Sequence, residues 1–305
     1  MWSPDDLDIR LIKAMASPHS FQWDVRISYA NLAKGLAIDE ETVRNRLRRM
    51  NDVGFLEGWQ LILNPILLGW EAAVVELRVG ESVSKKEVIS RLKLLERVML
   101  VDDFYDRELA VHLLYEDESA MKKQVKLIAS LCGCAAPVWW KLGFPPCTLI
   151  PTKTDWRIIQ ELRANARESL SDVARKLKLS TRTVKRHMSH LADGNAFYLD
   201  PLLNVGKVGG VRCRFWVVCE ASKKQAIDAK VQSGLNRIIS THTAPQEYSL
   251  FVVHCANASE VQDISQWIGK LDGVKEARSN IDVEHIHLPE WVDREIEKRV
   301  STPAF

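Results

Sequence analysis

The sequence predicts an α+β protein in which two winged helix-turn-helix domains alternate with two ferredoxin-like βαββαβ domains. Three observations predict it. A basic amphipathic stretch, TVRNRLRRM at 42–50, recurs in design as TVKRHMSHL at 183–191. The segments leading into the two stretches share residues in register. After each stretch, strand-like and helix-like patterns come in the same order.

The elements can be justified in chain order. Asp8-Ile9-Arg10-Leu11-Ile12 and Asp155-Trp156-Arg157-Ile158-Ile159 each open a short amphipathic helix. RISYANLAKGLAI (26–38) then matches RESLSDVARKLKL (167–179) through Arg26/Arg167, Ser28/Ser169, Ala33/Ala174 and Leu36/Leu177. Ala33 and Ala174 are small where a second helix must approach a third, and GLAID and KLKLS supply the turn between them. Asp39 and Ser180 suit the N-cap of the third helix, because their side chains can accept from its unpaired backbone N–H groups. Thr42–Asn51 and Arg182–Ala192 are the recognition-helix candidates. Gly54 and Gly194 are expected to close these helices at positive φ. A short two-stranded wing is expected next, leaving through Leu63-Asn64-Pro65 and Leu199-Asp200-Pro201. The first copy carries about six extra residues, within SPHSFQWD, in a loop that tolerates them.

The rest of each half spells βαββαβ. In the first, strands are expected at 70–79, 97–104, 108–116 and 136–143, with helices at 84–95 and 119–131. In the second, VRCRFWVVCE, SKKQAIDAKVQSG, NRIISTHT, EYSLFVVHC, SEVQDISQWIGKL and GVKEARSNIDVEHIHL repeat that order. A charged helix, EWVDREIEKRV, comes after Pro289. The domain boundaries are therefore 1–66, 67–148, 149–205 and 206–288, with a C-terminal helix and tail at 289–305.

Composition narrows the function classes. A chain of 305 residues with 46% hydrophobic content can bury several cores. The net charge is only +2, so a nucleic-acid surface has to come from local clustering of cations. No apolar run approaches the ~18–20 residues that span a bilayer. The acidic opening MWSPDDLDIR is not a secretory signal, and a cytoplasmic protein is expected. The six cysteines lack zinc-site spacing. Cys213, Cys219 and Cys255 read as small buried apolar groups.

Leu7-Asp8, R-I-S-Y-x-x-L-A, the T-V-R-x-R-L-x-R-M helix and the N-P-x-x-L-G exit resemble the Lrp/AsnC family of transcriptional regulators. The resemblance runs over nearly the whole chain, twice, and is strongest over 7–69. It implies a winged helix-turn-helix joined to a ferredoxin-like domain in each half. Family members are usually about half this length and dimerise, so the chain resembles two protomers fused head to tail, a pseudo-dimer. The family's effector pocket commonly uses glycine in the loop between the second and third α/β strands. Here those loops read Asp103-Phe104-Tyr105-Asp106 and Thr243-Ala244-Pro245-Gln246, without glycine. A small-molecule effector is left open, and amino-acid sensing is not supported.

Double-stranded DNA is the expected partner. Val43, Leu47 and Met50 in one helix, and Val184, Met188 and Leu191 in the other, supply the inner faces. The outer faces carry Arg44, Asn45, Arg48 and Glu41 in the first copy, and Arg182, Thr183, Lys185, Arg186 and Ser189 in the second. Arginine can pair bidentately with guanine and asparagine with adenine. Arg49 and Lys178 are placed on phosphates, which set register rather than sequence. Arg46 is expected to pair inside the domain with an acidic residue of the first helix. A solvated helix face with i,i+4 pairs is the bland alternative, but two basic helices in the same frame argue against it.

No catalytic residue, cofactor or metal is assigned, and the chain is read as not an enzyme. Two other readings stand beside the regulator. Some Lrp-like proteins are tetrapyrrole (siroheme) decarboxylases built from paired halves; such an enzyme should place histidine and arginine in the α/β cleft, where His112, His254 and Arg107 are available. A protein-interaction scaffold that has lost DNA binding is the other. Cys132-Gly133-Cys134 and His285-x-His287 are weak metal or redox candidates. Trp139-Trp140 is read as core and sheet-to-sheet packing, with an aromatic small-molecule pocket as the sharper alternative.

Overall fold

The structure is a computed structural model that describes residues 2–15, 27–134, 137–243 and 248–301. Arg26, the SPHSFQWD insertion and Ala244-Pro245-Gln246 lie outside the described residues. In the first half, α1 (Asp6–Met15), α2 (Tyr29–Leu36) and α3 (Glu40–Asp52) lead into β1 (Leu56–Leu63). Then come β2 (Glu71–Arg78), α4 (Lys85–Leu92), β3 (Val98–Phe104), β4 (Glu108–Tyr115), α5 (Glu118–Cys132) and β5 (Val138–Leu142). The second half repeats this with α6 (Lys153–Ala164), α7 (Leu170–Leu177), α8 (Thr181–Asp193) and β6 (Phe197–Leu203). It continues through β7 (Val211–Cys219), α9 (Lys224–Gly234), β8 (Ile238–Thr243), β9 (Tyr248–Cys255), α10 (Ala258–Gly269), β10 (Val274–His287) and α11 (Glu290–Ser301).

Capping sets the helix starts. Ser28, Asp39, Ser169 and Ser180 each accept from the backbone N–H three residues on, satisfying a donor that the first turn leaves unpaired. The turn before each third helix passes through a left-handed residue, Ala37 at φ 55 and Lys178 at φ 56. Gly54 closes α3 at φ 73, as expected. Gly194 does not take that role. Its φ is −86, and Asn195 adopts φ 56 in its place. Asparagine tolerates the left-handed region better than most side chains, so the cap falls one residue later.

The two-stranded wing is also corrected. Each half contributes a single strand, and β1 pairs with β6 in a two-stranded sheet. The backbone beyond β1 leaves no room for a return strand. Asn64 is buried, and its side chain accepts from Ile66 N at 3.1 Å, starting a 3-10 turn through Pro65–Leu68 that ends at Gly69, φ 78. The chain therefore turns away where a hairpin would fold back.

The chain forms two compact units, and each draws on both halves. One contains Met1–Ile62, Asn165–Arg167 and Tyr198–Ile281. It joins the first winged domain to the second α/β domain. Its α/β sheet has the order β10-β7-β9-β8, with residues 274–281 of β10 antiparallel to β7. Cys213, Phe215, Val217, Phe251 and Val253 pack under α9 and α10. The N-terminus fastens the winged part to this sheet. Trp2 O accepts from Gly209 N at 2.7 Å, the Trp2 ring lies 5.6 Å from Phe55, and Asp6 bonds Arg237 at 2.9 Å.

The other unit contains Leu63–Ala164, Glu168–Phe197 and Asp282–Phe305. Its sheet has the order β5-β2-β4-β3, and residues 282–287 of β10 pair antiparallel with β3. Both α/β sheets thus have the ferredoxin-like order. Val75, Leu77, Val111, Leu113, Met121 and Ile128 build the core beneath α4 and α5. Here α11 is the fastener. Trp291 lies 4.4 Å from Trp70 with Arg97 over both rings, Asp293 bonds Arg163 of α6 at 2.6 Å, and Arg299 lies over Trp156. Trp139 is not core. It lies exposed on the edge strand β5, so the core part of the reading of the Trp139-Trp140 pair is corrected for that residue.

His254 is fully buried on β9, and burial, reinforced by the Arg237 charge, holds its pKa below the ordinary 6.5. As pH falls through that value the unfolded chain takes up the proton and the folded chain does not. Stability should therefore decline from pH 7 toward pH 5, and His254→Leu should flatten that decline in urea unfolding measured across the range.

Candidate nucleic-acid interface

Each third helix must hide one face and present the other. In α3, Val43, Leu47 and Met50 are buried against α1 and α2. Arg44, Asn45, Arg48, Arg49 and Glu41 are exposed on the opposite side. In α8, Val184 and Leu191 are fully buried, but Met188 is only half-buried, so this inner face is thinner than expected. Arg182, Lys185, Arg186 and Ser189 are exposed, as is Lys178 in the preceding turn. Thr183 is half-buried, and its hydroxyl lies 2.8 Å from the Ser180 hydroxyl, inside the cap.

The rotation of each helix is fixed by a side-chain bond to a carboxylate of the first helix of its domain. Arg46 bonds Asp5 at 2.7 Å and the buried Asp8 at 2.9 Å, as its position suggested. Burial works to raise the Asp5 pKa, but the Arg46 hydrogen bond and charge outweigh it and hold the carboxyl below its usual range. The second copy solves the same problem with another residue. His187 Nδ1 lies 2.7 Å from Asp155 Oδ1, and Asp155 is wholly buried. Asp155 also accepts from the Thr152 backbone and hydroxyl, both at 2.7 Å. His187 was missed in the sequence, although the repeat register places it opposite Arg46.

The outer faces differ in how far their charges are already engaged. Arg44 pairs with Glu40 at 2.8 Å and stacks over Tyr29 at 5.2 Å. Arg49 lies over Trp2 at 5.4 Å. An exposed i,i+4 pair is worth only ~0.3–0.5 kcal/mol, so a phosphate could compete for Arg44. Among the described residues, Arg48 has no such partner, and neither do Arg182, Lys185 and Arg186. The second helix is thus the less encumbered cationic surface.

The residues set aside for α/β chemistry are largely occupied. Arg107 donates to the backbone carbonyls of Val79 at 2.9 Å and Val83 at 2.5 Å, and also to that of Gly80. It anchors the loop after β2, and His254 is sealed in the core, which corrects their reading as cleft residues. His112 Nε2 lies 2.7 Å from the fully buried Asp102, which also contacts His285 Nδ1. His285 is therefore joined to a carboxylate. Among the described residues no group of three or more histidine, cysteine or acidic side chains is arranged for a metal. Burial pushes the Cys132 thiol up to about 12, far from a reactive thiolate. In the turn after β3, Asp106 takes the left-handed conformation, φ 68, that glycine would favour, and Lys85 bonds its carbonyl at 2.8 Å. Among the described residues no helix is long and apolar enough to cross a membrane.

The comparisons with known proteins fit this geometry. A family model described as winged helix-turn-helix DNA-binding matches residues 151–195, the second winged domain. An uncharacterised HTH-type transcriptional regulator of Pyrococcus furiosus is 29% identical over 132 residues, 42% of this chain and 84% of that protein. The HTH-type transcriptional regulator Ptr1 of Methanocaldococcus jannaschii is 28% identical over 96 residues, 31% of this chain and 60% of that protein. The crystal structure of the siroheme decarboxylase NirDL superposes with a TM-score of 0.57 at 14% identity, covering 97% of this chain and 99% of that one. That last likeness is one of fold. Residues 151–195 thus match a winged helix-turn-helix DNA-binding family. More particularly, the chain resembles regulators of the Lrp/AsnC type, with two such halves in tandem.

Arg46→Ala should leave Asp8 buried without its charged partner and cost about 3 kcal/mol. Arg48→Ala, on the exposed face, should stay within about 0.5 kcal/mol of the parent. Urea unfolding of the two variants side by side measures the difference.

Proposed function

We propose that the chain is a sequence-specific DNA-binding transcriptional regulator whose two non-identical recognition helices read two different half-sites. The observation that carries this reading is the outward face of α8. Arg182, Lys185 and Arg186 stand exposed there, with no ion pair to a carboxylate among the described residues, in the segment that matches the winged helix-turn-helix family. A duplex offers that face a row of phosphates and a major groove of the right width. Arg186, Lys185 and Ser189 are assigned to base edges in the second copy, and Arg44, Asn45 and Arg48 in the first. Arg49, Lys178 and Arg182 are assigned to the backbone, and Thr183 to the helix start beside it. Because the helices differ, the preferred site is asymmetric, unlike the palindrome read by a homodimer.

A second reading, a siroheme-type decarboxylase, has the whole-chain fold likeness behind it. That activity asks for histidine and arginine facing a tetrapyrrole. Of the three such residues named from sequence, Arg107 is tied to carbonyls, His254 is buried and His112 is held by Asp102. An absorbance scan after incubation with siroheme separates the two: a shifted spectrum and product formation would favour the enzyme.

Gel shifts on genomic fragments over a salt series test the regulator. Affinity should fall steeply with salt. Lys185→Ala/Arg186→Ala should weaken binding by at least about tenfold and reduce the salt slope, whereas Arg44→Ala should do less, since Arg44 is already paired. Binding that ignores salt, or that the double variant leaves unchanged, contradicts the assignment.

A further inference from the structure

The helical face of the first α/β domain carries a surplus of cations. There α4 and α5 cover the apolar core side by side. They run antiparallel, since Gly80 N, ahead of α4, donates to Cys132 O at the end of α5 at 2.8 Å. The acids on the two helices are already answered, Glu87 by Arg91 at 2.5 Å and Glu118 by Lys122 at 2.9 Å. Lys86 on α4, Lys93 at its C-cap, and Lys123 and Lys126 on α5 are exposed, and among the described residues none of them has an ion pair to a carboxylate. Leu94 directly follows Lys93 and is 84% exposed, and Leu127 directly follows Lys126 and is 47% exposed. Lys123 and Leu127 lie one helical turn apart, so they share a stripe. The fold does not demand this surface. In the second α/β domain, α10 is capped by Asn257 as α5 is by Asp117. In that alignment it shows Gln262, Asp263 and Gln266 where α5 shows Lys122, Lys123 and Lys126.

We propose that this face docks an acidic amphipathic helix of a partner protein. Charge complementarity names the occupant. A row of carboxylates supplies the counter-charge that these lysines do not find on their own helices, and it steers the encounter. Lysine is a compact charge on a flexible stem, so it can follow carboxylates that hold no fixed geometry. The partner's apolar stripe removes Leu94 and Leu127 from water, in the manner of an amphipathic helix laid on a receptive surface. Duplex DNA fits less well, because its phosphates answer the lysines but offer nothing to the leucines.

The test uses the full chain without DNA, so it stands or falls separately from the DNA-binding reading. The probe is a fluorescein-labelled peptide, Glu-Leu-Leu-Glu repeated in tandem, followed by fluorescence anisotropy. It should bind saturably, and more weakly as salt rises. The same peptide with lysine for every glutamate, or serine for every leucine, should bind at least about tenfold more weakly. Lys123→Glu/Lys126→Glu should weaken the parent peptide by a similar factor while keeping the circular dichroism spectrum. Leu127→Ser, which leaves the charges in place, is an independent variant and should also weaken it. Lys185→Ala/Arg186→Ala, on α8, should leave the peptide's affinity as it is. No saturable binding at millimolar protein, equal affinity for Lys123→Glu/Lys126→Glu and the parent, or a loss caused by the α8 variant instead overturns the proposal. Equal binding of the serine peptide overturns the amphipathic requirement, and with it the assigned partner. A random-sequence duplex that loses affinity for Lys123→Glu/Lys126→Glu, while the peptide does not, gives the face to phosphates and overturns the proposal as well.

Discussion

A carboxylate buried in the first helix of each winged domain decides how the recognition helix faces. Asp8 and Asp155 are both shielded from water. An unpaired charge in such a place is costly, so each must find a partner. The partner comes from the middle of the third helix: Arg46 in one domain, His187 in the other. Once that side chain points inward, helical geometry turns the residues one and two positions earlier toward solvent. Arg44 and Asn45, or Lys185 and Arg186, face outward because residue 46 or 187 faces in.

The two domains obey this constraint with different chemistry, and their surroundings differ in kind. Arginine keeps its charge at any ordinary pH, and Arg46 gathers two carboxylates, Asp5 and Asp8. His187 instead places Nδ1 2.7 Å from Asp155 Oδ1. The first winged domain is fastened through the N-terminal segment, with Trp2 wedged between Arg49 and Phe55. The second is fastened through α11, whose Trp291, Asp293 and Arg299 grip Trp70, Arg163 and Trp156. The first fastening uses one of the recognition helix's own arginines, and the second uses none. That difference leaves α8 the more open cationic surface.

Local features were legible in the sequence, and non-local ones were not. The caps Asp39 and Ser180 depend on side chains within three residues, and the helical faces on periodicity, so both could be read directly. The inward pairing of Arg46 was also readable, because its place in the repeat and the acidic first helix are both visible. The pairing of β1 with β6 was not. A lone strand carries no mark of its partner, and the expectation of a hairpin filled the gap. The roles of Arg107 and His254 were equally hidden, since a polar side chain looks the same in sequence whether it lines a cleft, grips three carbonyls or sits in a core. Trp139 failed for the opposite reason: bulk and hydrophobicity suggested burial, but an edge strand left it outside.

Neither compact body is made from a continuous stretch of polypeptide. One takes its winged helices from the beginning of the chain and its α/β sheet, with α9 and α10, from the later part, and the other takes most of what lies between. A protease cutting in the connection near Pro145 and Pro146 would therefore release no finished module. Each fragment would hold what the other lacks, and both bodies would depend on the fragments staying together. The same logic allows the protein to be encoded as two genes, provided their products fold in each other's company.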